Sequence, residues 1–398
     1  MHIIGIICEY NPMHLGHMWQ ICQTRKTAGE DAAIVCAMSG NFVQRGEAAI
    51  VRKHIRARAA IESGADLVLE LPLPWAVASA EKFAYGGVSL LQATGTVSAL
   101  SFGSESGDLA LLREAAKCME SEAYHEALRR HMERGITYAA AAQAAAEQLN
   151  CPGAALLSAP NNTLAIEYLK AISRMGNLLK PICVLRRGAR HDGETVDGIA
   201  SASVIRKKLL SGETAEEWMT PSMVKLYREE AACGRAPVSL LAAERAILAR
   251  LRSMDKEEMA RYDEGKEGLS NRLFAAVHQA TTLEEILEAA KTKRYPRSRL
   301  CRMILWIYLG MIPSEMPHHV PYLRVLACNA KGREVLGRMR KTATAPVLVK
   351  PADVRALHPQ AQQVFALEAR ATDLYTLCYP DLTQAKPNSE WTENPVIL

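Results

Sequence analysis

Two histidines, three residues apart, follow the first apolar run of the chain. The stretch Tyr10-Asn11-Pro12-Met13-His14-Leu15-Gly16-His17 lies between that run and a helical pattern. The first backbone amides of a helix and its positive dipole end bind phosphate, and a glycine lets a nucleotide lie against the backbone. Both imidazoles can donate hydrogen bonds to phosphate oxygens as charge develops there. The motif predicts a nucleotide site, although histidines near a helix start can also be caps or surface residues.

A second candidate anion site lies far downstream. Ser201 and Ser203 precede or open a short helical pattern, and Arg206 follows one turn later. Either hydroxyl can cap the helix, and the guanidinium can reach the same phosphates. Alone, this is an ordinary capped helix. Together with His-x-Gly-His it resembles the two phosphate-binding signatures of the nucleotidyltransferase superfamily, in which the two segments clamp a triphosphate.

Short apolar runs alternate with helical patterns in the first half of the chain. Strands are predicted at 2–8, 33–39, 67–71, 97–102 and 182–185, and helices at 16–27, 51–63, 83–93 and 203–210. This alternation predicts a Rossmann-like, doubly wound parallel sheet with helices on both faces. Ligands of such sheets bind at the carboxyl ends of the strands, where the histidine motif lies.

From residue 238 onward the patterns are helical. Helices are predicted at 242–254, 270–279, 283–291, 297–309 and 333–340. We therefore expect a nucleotide-binding catalytic domain over residues 1–220 and an all-helical domain over residues 221–398.

Six further blocks make the resemblance more specific. They resemble the tRNA(Met) cytidine acetate ligase family, and they run from the first strand into the helical half: Gly5–Pro12, Met38–Glu47, Asp66–Pro72, Phe102–Ser106, Ser158–Asn162 and Glu267–Arg272. At residues 186–192 the family pattern is one or two residues longer, which leaves the choice between Arg186 and Arg187 open.

The resemblance implies an ATP-dependent ligase. In that family acetate attacks the α-phosphate of ATP, and the acetyl group then passes to the exocyclic amine of the wobble cytidine of elongator tRNA(Met). His14, His17, Ser203 and Arg206 would act on the phosphates. The implied ATP site comprises Ile7, Cys8, Glu9, Tyr10, Asn11, Pro12, Met13, His14, Leu15, Gly16, His17, Met18, Trp19, Gln20, Gly103, Asn162 and Arg187.

Other candidate residues keep two interpretations each. Gly103 ends a predicted strand and would let the adenosine approach the sheet. Asn162 can bind ribose or base, or simply cap a helix after Pro160. Gln44, Arg45 and Lys53 follow the second strand and can hold acetate or the tRNA backbone, or form a solvated loop. No acid pair or metal cluster is visible, so Mg²⁺ is expected to arrive with the triphosphate.

Two basic clusters in the second half suggest an RNA surface. One spans Lys291 to Arg302, and the other comprises Lys331, Arg333, Arg338, Arg340 and Lys341. Lysines and arginines in such clusters contact phosphates, and Tyr295 and Trp306 among them can stack on unpaired bases. Charged runs are also common on solvated helix faces. With the family resemblance, we expect a tRNA-binding helical domain.

Composition restricts the class of protein. The chain has 398 residues, a formal net charge of +5 and ten cysteines without a Cys-x-x-Cys pair. This is typical of a globular protein in a reducing cytoplasm, without a signal sequence or membrane span. Two alternatives remain: an adenylyltransferase acting on a small phosphorylated metabolite, and a non-catalytic RNA-binding protein that retains a nucleotide fold.

Overall fold

The computed structural model of the chain describes residues 1–187, 198–265 and 268–398. Residues 188–192 of the arginine stretch, and Glu267 of the last family block, lie outside the described residues. The described strands are β1 Ile3–Cys8, β2 Ala33–Ser39, β3 Phe42–Val43, β4 Glu47–Ala48, β5 Leu67–Leu71, β6 Ala99–Ser104, β7 Lys180–Leu185, β8 Leu323–Cys328, β9 Val347–Leu348 and β10 Val396–Ile397.

Helices cover most of the remaining chain. The described α-helices of the first half are α1 Leu15–Ala28, α2 Lys53–Glu62, α3 Leu73–Ala76, α4 Ala80–Ala93, α5 Leu109–Met119, α6 Glu122–Glu133, α7 Tyr138–Gln148, α8 Pro160–Arg174 and α9 Ala202–Leu210. Those of the second half are α10 Pro221–Ala232, α11 Glu244–Arg252, α12 Lys256–Ala260, α13 Leu269–Val277, α14 Leu283–Ala290, α15 Arg297–Leu309, α16 Ala330–Thr342, α17 Pro359–Thr376 and α18 Ser389–Thr392.

The main sheet has the strand order β10-β8-β5-β2-β1-β6-β7. Strands β5, β2, β1, β6 and β7 are parallel to one another. Every residue of β2 and β5 is buried, as expected for strands that are covered on both faces. The doubly wound sheet predicted from the sequence is therefore confirmed. Its strand order reverses between β1 and β6, which is where such sheets bind ligands.

Two apolar layers hold the sheet. On one face β1 and β2 pack with α4, α8 and α16, and on the other with α1, α2, α9 and α10. The loops after β1 and β6 are thereby fixed at the carboxyl edge of the sheet.

The second half is helical except for three strands, which corrects the expectation of an all-helical region. β8 pairs antiparallel with β5, and β9 and β10 pair parallel with β8. Arg324 interrupts the apolar pattern of β8, so the strand escapes a search for apolar runs. Its side chain is buried and contacts the carboxylates of Glu70 and Glu390. The division of the chain near residue 220 stays a prediction.

Candidate active site

The loop between β1 and α1 is held from several sides. Tyr10 has a φ of +46°, and its buried ring lies 4.9 Å from the ring of His17, centroid to centroid. The Oδ1 atom of Asn11 accepts a hydrogen bond from the Ile50 amide at 2.7 Å. The carbonyl of Met13 accepts one from the Thr220 amide at 3.4 Å. The backbone that carries both histidines is therefore positioned before any ligand binds.

The two imidazoles fix each other's orientation. The Nδ1 atom of His14 accepts a hydrogen bond from the Gly16 amide at 3.0 Å, and the His14 amide donates to Nδ1 of His17 at 3.3 Å. The rings stack with centroids 3.6 Å apart. Because Nδ1 accepts in both rings, the neutral tautomer of each carries its proton on Nε2.

Burial keeps both rings neutral. Burial lowers the pKa of His14 from 6.5 to about 3, and the charges of Arg186 and Arg206 lower it further. Burial also puts the pKa of His17 well below its usual range, with the His14 and Arg186 charges acting in the same direction. At neutral pH both side chains therefore donate through an uncharged N–H group.

Gly16 is required by this arrangement. A Cβ atom at that position would lie 2.9 Å from Cε1 of His14. Any larger residue would push the His14 ring away from the start of α1, so the glycine protects the cap.

A cavity of about 260 Å³ opens at the carboxyl ends of β1 and β6. Of the predicted ATP-site residues, Ile7, Cys8, Glu9, His17, Gln20 and Gly103 line it. Tyr10, Asn11, Met13 and His14 are buried, and they support the loop from within. The remaining lining comes from Gln44, Arg45, Ala80, Phe83, Phe102, Pro160, Asn161, Thr163, Leu164, Tyr168 and Arg186.

Glu9 is the acidic residue in that lining. Its Oε1 atom accepts a hydrogen bond from the Gln44 amide at 2.8 Å, and burial raises its pKa. The fully buried Arg56 donates to the carbonyls of Glu9, Ser39 and Gly40. Arg56 thus joins the carboxyl ends of β1 and β2, a role that the sequence did not reveal because its neighbours in α2 are a mixture of apolar and charged residues.

Asn162 lies behind the cavity wall. Its Oδ1 atom accepts from Ser104 Oγ at 2.7 Å and from the Glu105 amide at 2.9 Å. The preceding Asn161 lines the cavity, and its Nδ2 donates to Glu105 Oε1 at 2.5 Å. The helix begins at Pro160, so Asn162 lies inside the first turn and is not its cap. The side chain of Asn162 fixes the loop after β6.

The two adjacent arginines after β7 point to different surroundings. Arg186 lines the cavity, and an added Cβ at Gly103 would lie 3.0 Å from its Cγ. The guanidinium of Arg187 lies over the Trp19 ring, 4.0 Å from the centroid. Of the two, Arg186 lies nearer to the histidines, whose pKa values it lowers.

The Ser-x-x-Arg helix reaches the same loop from the other side. Ser201 caps α9, since its Oγ accepts from the Val204 amide at 3.4 Å. Arg206 donates from Nη1 to the Asn11 carbonyl at 3.0 Å, and its Nη2 lies 3.3 Å from Glu47 Oε2. Ser203 lines a neighbouring cavity together with Arg206. The fold thus brings the two distant signatures together.

The candidates after β2 separate into two groups. Gln44 and Arg45 line the cavity beside His17. Lys53 does not lie on that rim: it is buried, and its Nζ contacts Glu70 at 2.6 Å and Glu390 at 2.5 Å. The expectation that Lys53 holds acetate or tRNA is therefore wrong, because its charge is used inside the protein.

The basic clusters lie at different edges of the sheet. α15 packs beside the β3–β4 hairpin at the carboxyl edge, whereas both ends of α16 contact the amino edge, near Asp66 and Thr94. Trp306 is buried and donates to the Val77 carbonyl at 2.8 Å, so it belongs to the core and is not placed to stack on bases. Tyr295 is also buried.

Two searches of the described residues gave no candidates. No cluster of three or more His, Cys, Asp or Glu side chains suited to a metal ion occurs among them. In the same ranges, no helix has the length and apolar character needed to cross a membrane.

Comparisons with known proteins agree on one family. A family model described as HIGH nucleotidyl transferase matches residues 1–390. The tRNA(Met) cytidine acetate ligase of Acetivibrio thermocellus is 35% identical over 418 residues and is covered completely, as is this chain. The enzyme of the same name from Halothermothrix orenii is 33% identical, with 98% of each chain covered.

Solved structures show the same relationship. The apo crystal structure of Thermotoga maritima TmcAL has a TM-score of 0.92 and 28% sequence identity, with both chains covered completely. A second crystal structure of that protein, bound with alpha-thio ATP, has a TM-score of 0.92 and 27% identity over the same coverage.

Proposed function

The chain belongs to the tRNA(Met) cytidine acetate ligase family, within the HIGH nucleotidyl transferases, and from this membership we propose its reaction. It is an ATP-dependent enzyme that activates acetate and acetylates the wobble cytidine of elongator tRNA(Met). The observation that carries the proposal is the stacked His14–His17 pair at the start of α1, which adjoins a cavity in a chain similar throughout to a structure bound with alpha-thio ATP.

The first step is carboxylate adenylation. An acetate oxygen bonds to the α-phosphorus of ATP, the bond to the β-phosphate oxygen breaks, and pyrophosphate leaves with the electron pair. His17 donates its Nε2–H to the phosphate oxygens as charge builds on them, and Arg186 adds a positive charge beside it. We propose that His14 orients His17, and that Ser203 and Arg206 complete the phosphate site.

The second step transfers the acetyl group. The exocyclic amine of cytidine attacks the carbonyl carbon of acetyl-adenylate, the bond from that carbon to the phosphate oxygen breaks, and AMP leaves. The amine releases a proton to solvent. Because the acyl-adenylate is already activated, this step does not require a strong base.

Mg²⁺ is proposed to enter with ATP. A single carboxylate beside a triphosphate is a common way for proteins to hold this ion, and Glu9 is the carboxylate of the cavity lining. When bound, the ion would neutralise phosphate charge. The residues of the chain that bind and orient the phosphates remain His17, Arg186 and Arg206.

Incubation with labelled acetate, ATP and bulk tRNA tests the proposal. We expect label in tRNA as an acetylated cytidine, with one AMP formed for each acetyl group. Adenylate retained on a small phosphorylated product would instead indicate an adenylyltransferase. Because ATP, acetate and tRNA are all present in the cytoplasm, we propose that the enzyme works there.

A further inference from the structure

A second cavity lies beside the first, between the two halves of the chain. Its volume is about 490 Å³. The β3–β4 hairpin and α9 form one side of this acceptor cavity, and α14, α15 and the loop at 238–241 form the other. It therefore exists only when both halves are folded together.

The acceptor cavity adjoins the phosphate loop. Arg45 belongs to the lining of both cavities. Arg206 also lines the acceptor cavity, and its Nη1 donates to the Asn11 carbonyl of the phosphate loop at 3.0 Å. A group held in the acceptor cavity would thus be next to the residues that surround the reacting phosphate.

The wall between the cavities is fixed in place. Gly46, at the tip of the hairpin, has a φ of +79°, and an added Cβ would lie 2.5 Å from the backbone nitrogen of Arg302. The hairpin therefore packs directly on the backbone of α15. No room remains for the wall to move toward the helix.

One part of the lining suits a phosphodiester backbone. Arg206 and Arg297 each pair with a carboxylate, Glu47 at 3.3 Å and Glu284 at 2.6 Å, and the exposed Lys207 adds further positive charge. A net positive wall attracts polyanions.

The rest of the lining is apolar and unusually open. Leu210 is 48% exposed and Leu241 is 65% exposed, and both line the cavity with Leu287 and Ile304. Apolar side chains next to cationic ones match a nucleotide, whose base has two apolar faces and whose phosphates are anionic. Proteins that act on a base take it out of its stack into such a pocket.

We propose that the acceptor cavity holds the unstacked cytidine of the tRNA substrate, with its base between Leu210 and Leu241 and its phosphate near Lys207. The proposal rests on the proposed function, because it assigns the acceptor of that reaction. The base would then present its amine to the acyl-adenylate past Arg45.

The test uses an anticodon stem-loop RNA with pyrrolocytidine, a fluorescent cytidine analogue, at the wobble position. Its emission rises when the base leaves the stack. We expect a rise with the wild-type protein. The double variant Leu210→Ala/Leu241→Ala should need about tenfold more protein for the same rise, since apolar contacts with the base are lost. Leu178→Ala is the matched control, because Leu178 is 66% exposed and precedes β7 at the amino edge of the sheet.

Acetate-dependent exchange of pyrophosphate into ATP, measured on the same proteins, separates the two proposals. Exchange retained in the double variant, with acetyl transfer to tRNA reduced about tenfold, supports the acceptor cavity. No rise in emission with the wild type, or a double variant that behaves as Leu178→Ala does, overturns it. Loss of exchange in the wild type would overturn the ligase reaction, while the emission result would still decide whether the cavity binds the base.

Discussion

The stacked imidazoles of His14 and His17 explain how neutral side chains can serve a phosphate site. Each Nδ1 accepts a backbone amide, so each Nε2 keeps its proton without the ring becoming charged. Burial stabilises this state, because a protonated ring would lose its hydration. The donors are therefore set before ATP binds.

His17→Ala should lower acetate-dependent pyrophosphate exchange by about 10²- to 10³-fold, the usual effect of losing one preorganised donor to a developing charge. The exposed His278, on the C-terminal side of α13, provides a matched control as His278→Ala. Equal rates for the two variants would contradict the role proposed for His17.

The depressed pKa of His14 predicts a pH dependence of stability. The unfolded chain binds a proton below about pH 6.5, whereas folded His14 stays neutral down to a pKa of about 3. Stability from the neutral ring is thus fully present above about pH 6.5 and is lost as the pH falls toward 3. The loss from pH 7 to pH 5 should be ~2 kcal/mol in the free energy of unfolding.

Urea unfolding of the wild type and of His14→Asn at both pH values measures this contribution. Asparagine can keep the cap through its side-chain oxygen but does not titrate. We expect the variant to lose less stability than the wild type between the two pH values. Identical losses would show that His14 is not held neutral by the fold.

At the scale of elements, the site depends on the hairpin and helices that enclose it. The β3–β4 hairpin separates the two cavities and packs on α15, while α2 ties the ends of β1 and β2 through Arg56. These connections make the carboxyl edge of the sheet a rigid frame.

Gly46→Ala should lower the free energy of unfolding by more than ~2 kcal/mol, because the new Cβ meets backbone as well as requiring a strained φ. Gly176→Ala is the control: its φ is +84°, and nothing lies within 4 Å of the added atom. The difference between the two variants reports the clash alone. Equal destabilisation would mean that the hairpin does not press on α15.

The sequence predicted the strands that are continuous apolar runs, and these are β1, β2, β5, β6 and β7. It did not predict β8, whose Arg324 hides the run, or β3 and β4, which have two residues each. It also left Arg186 and Arg187 unresolved. Successive side chains of an extended segment point to opposite sides, and only the fold shows which side faces the cavity.

At the scale of the whole molecule, the second half of the chain completes the first. β8 extends the sheet, and Lys53 lies between Glu70 of the sheet and Glu390 near the C-terminus. α14 and α15 close the acceptor cavity. The proposed RNA partner therefore meets a surface that both halves build.

Arg297→Ala with Arg299→Ala should weaken tRNA binding while leaving acetate activation unchanged, since Arg297 faces the acceptor cavity and not the ATP cavity. Loss of about two phosphate contacts would reduce the slope of log affinity against log salt by about 2. Arg338→Ala with Arg340→Ala, on α16 near the amino edge, is the comparison. A larger change in slope for the α16 pair would contradict the proposed location of the RNA.

Acetate-dependent exchange of labelled pyrophosphate into ATP, with and without bulk tRNA, tests the central claim most directly. The account predicts exchange that requires acetate, because only a reversible attack of the carboxylate on the α-phosphate returns the label to ATP. Absence of exchange under both conditions would contradict carboxylate adenylation, and would favour the adenylyltransferase or the non-catalytic RNA-binding protein.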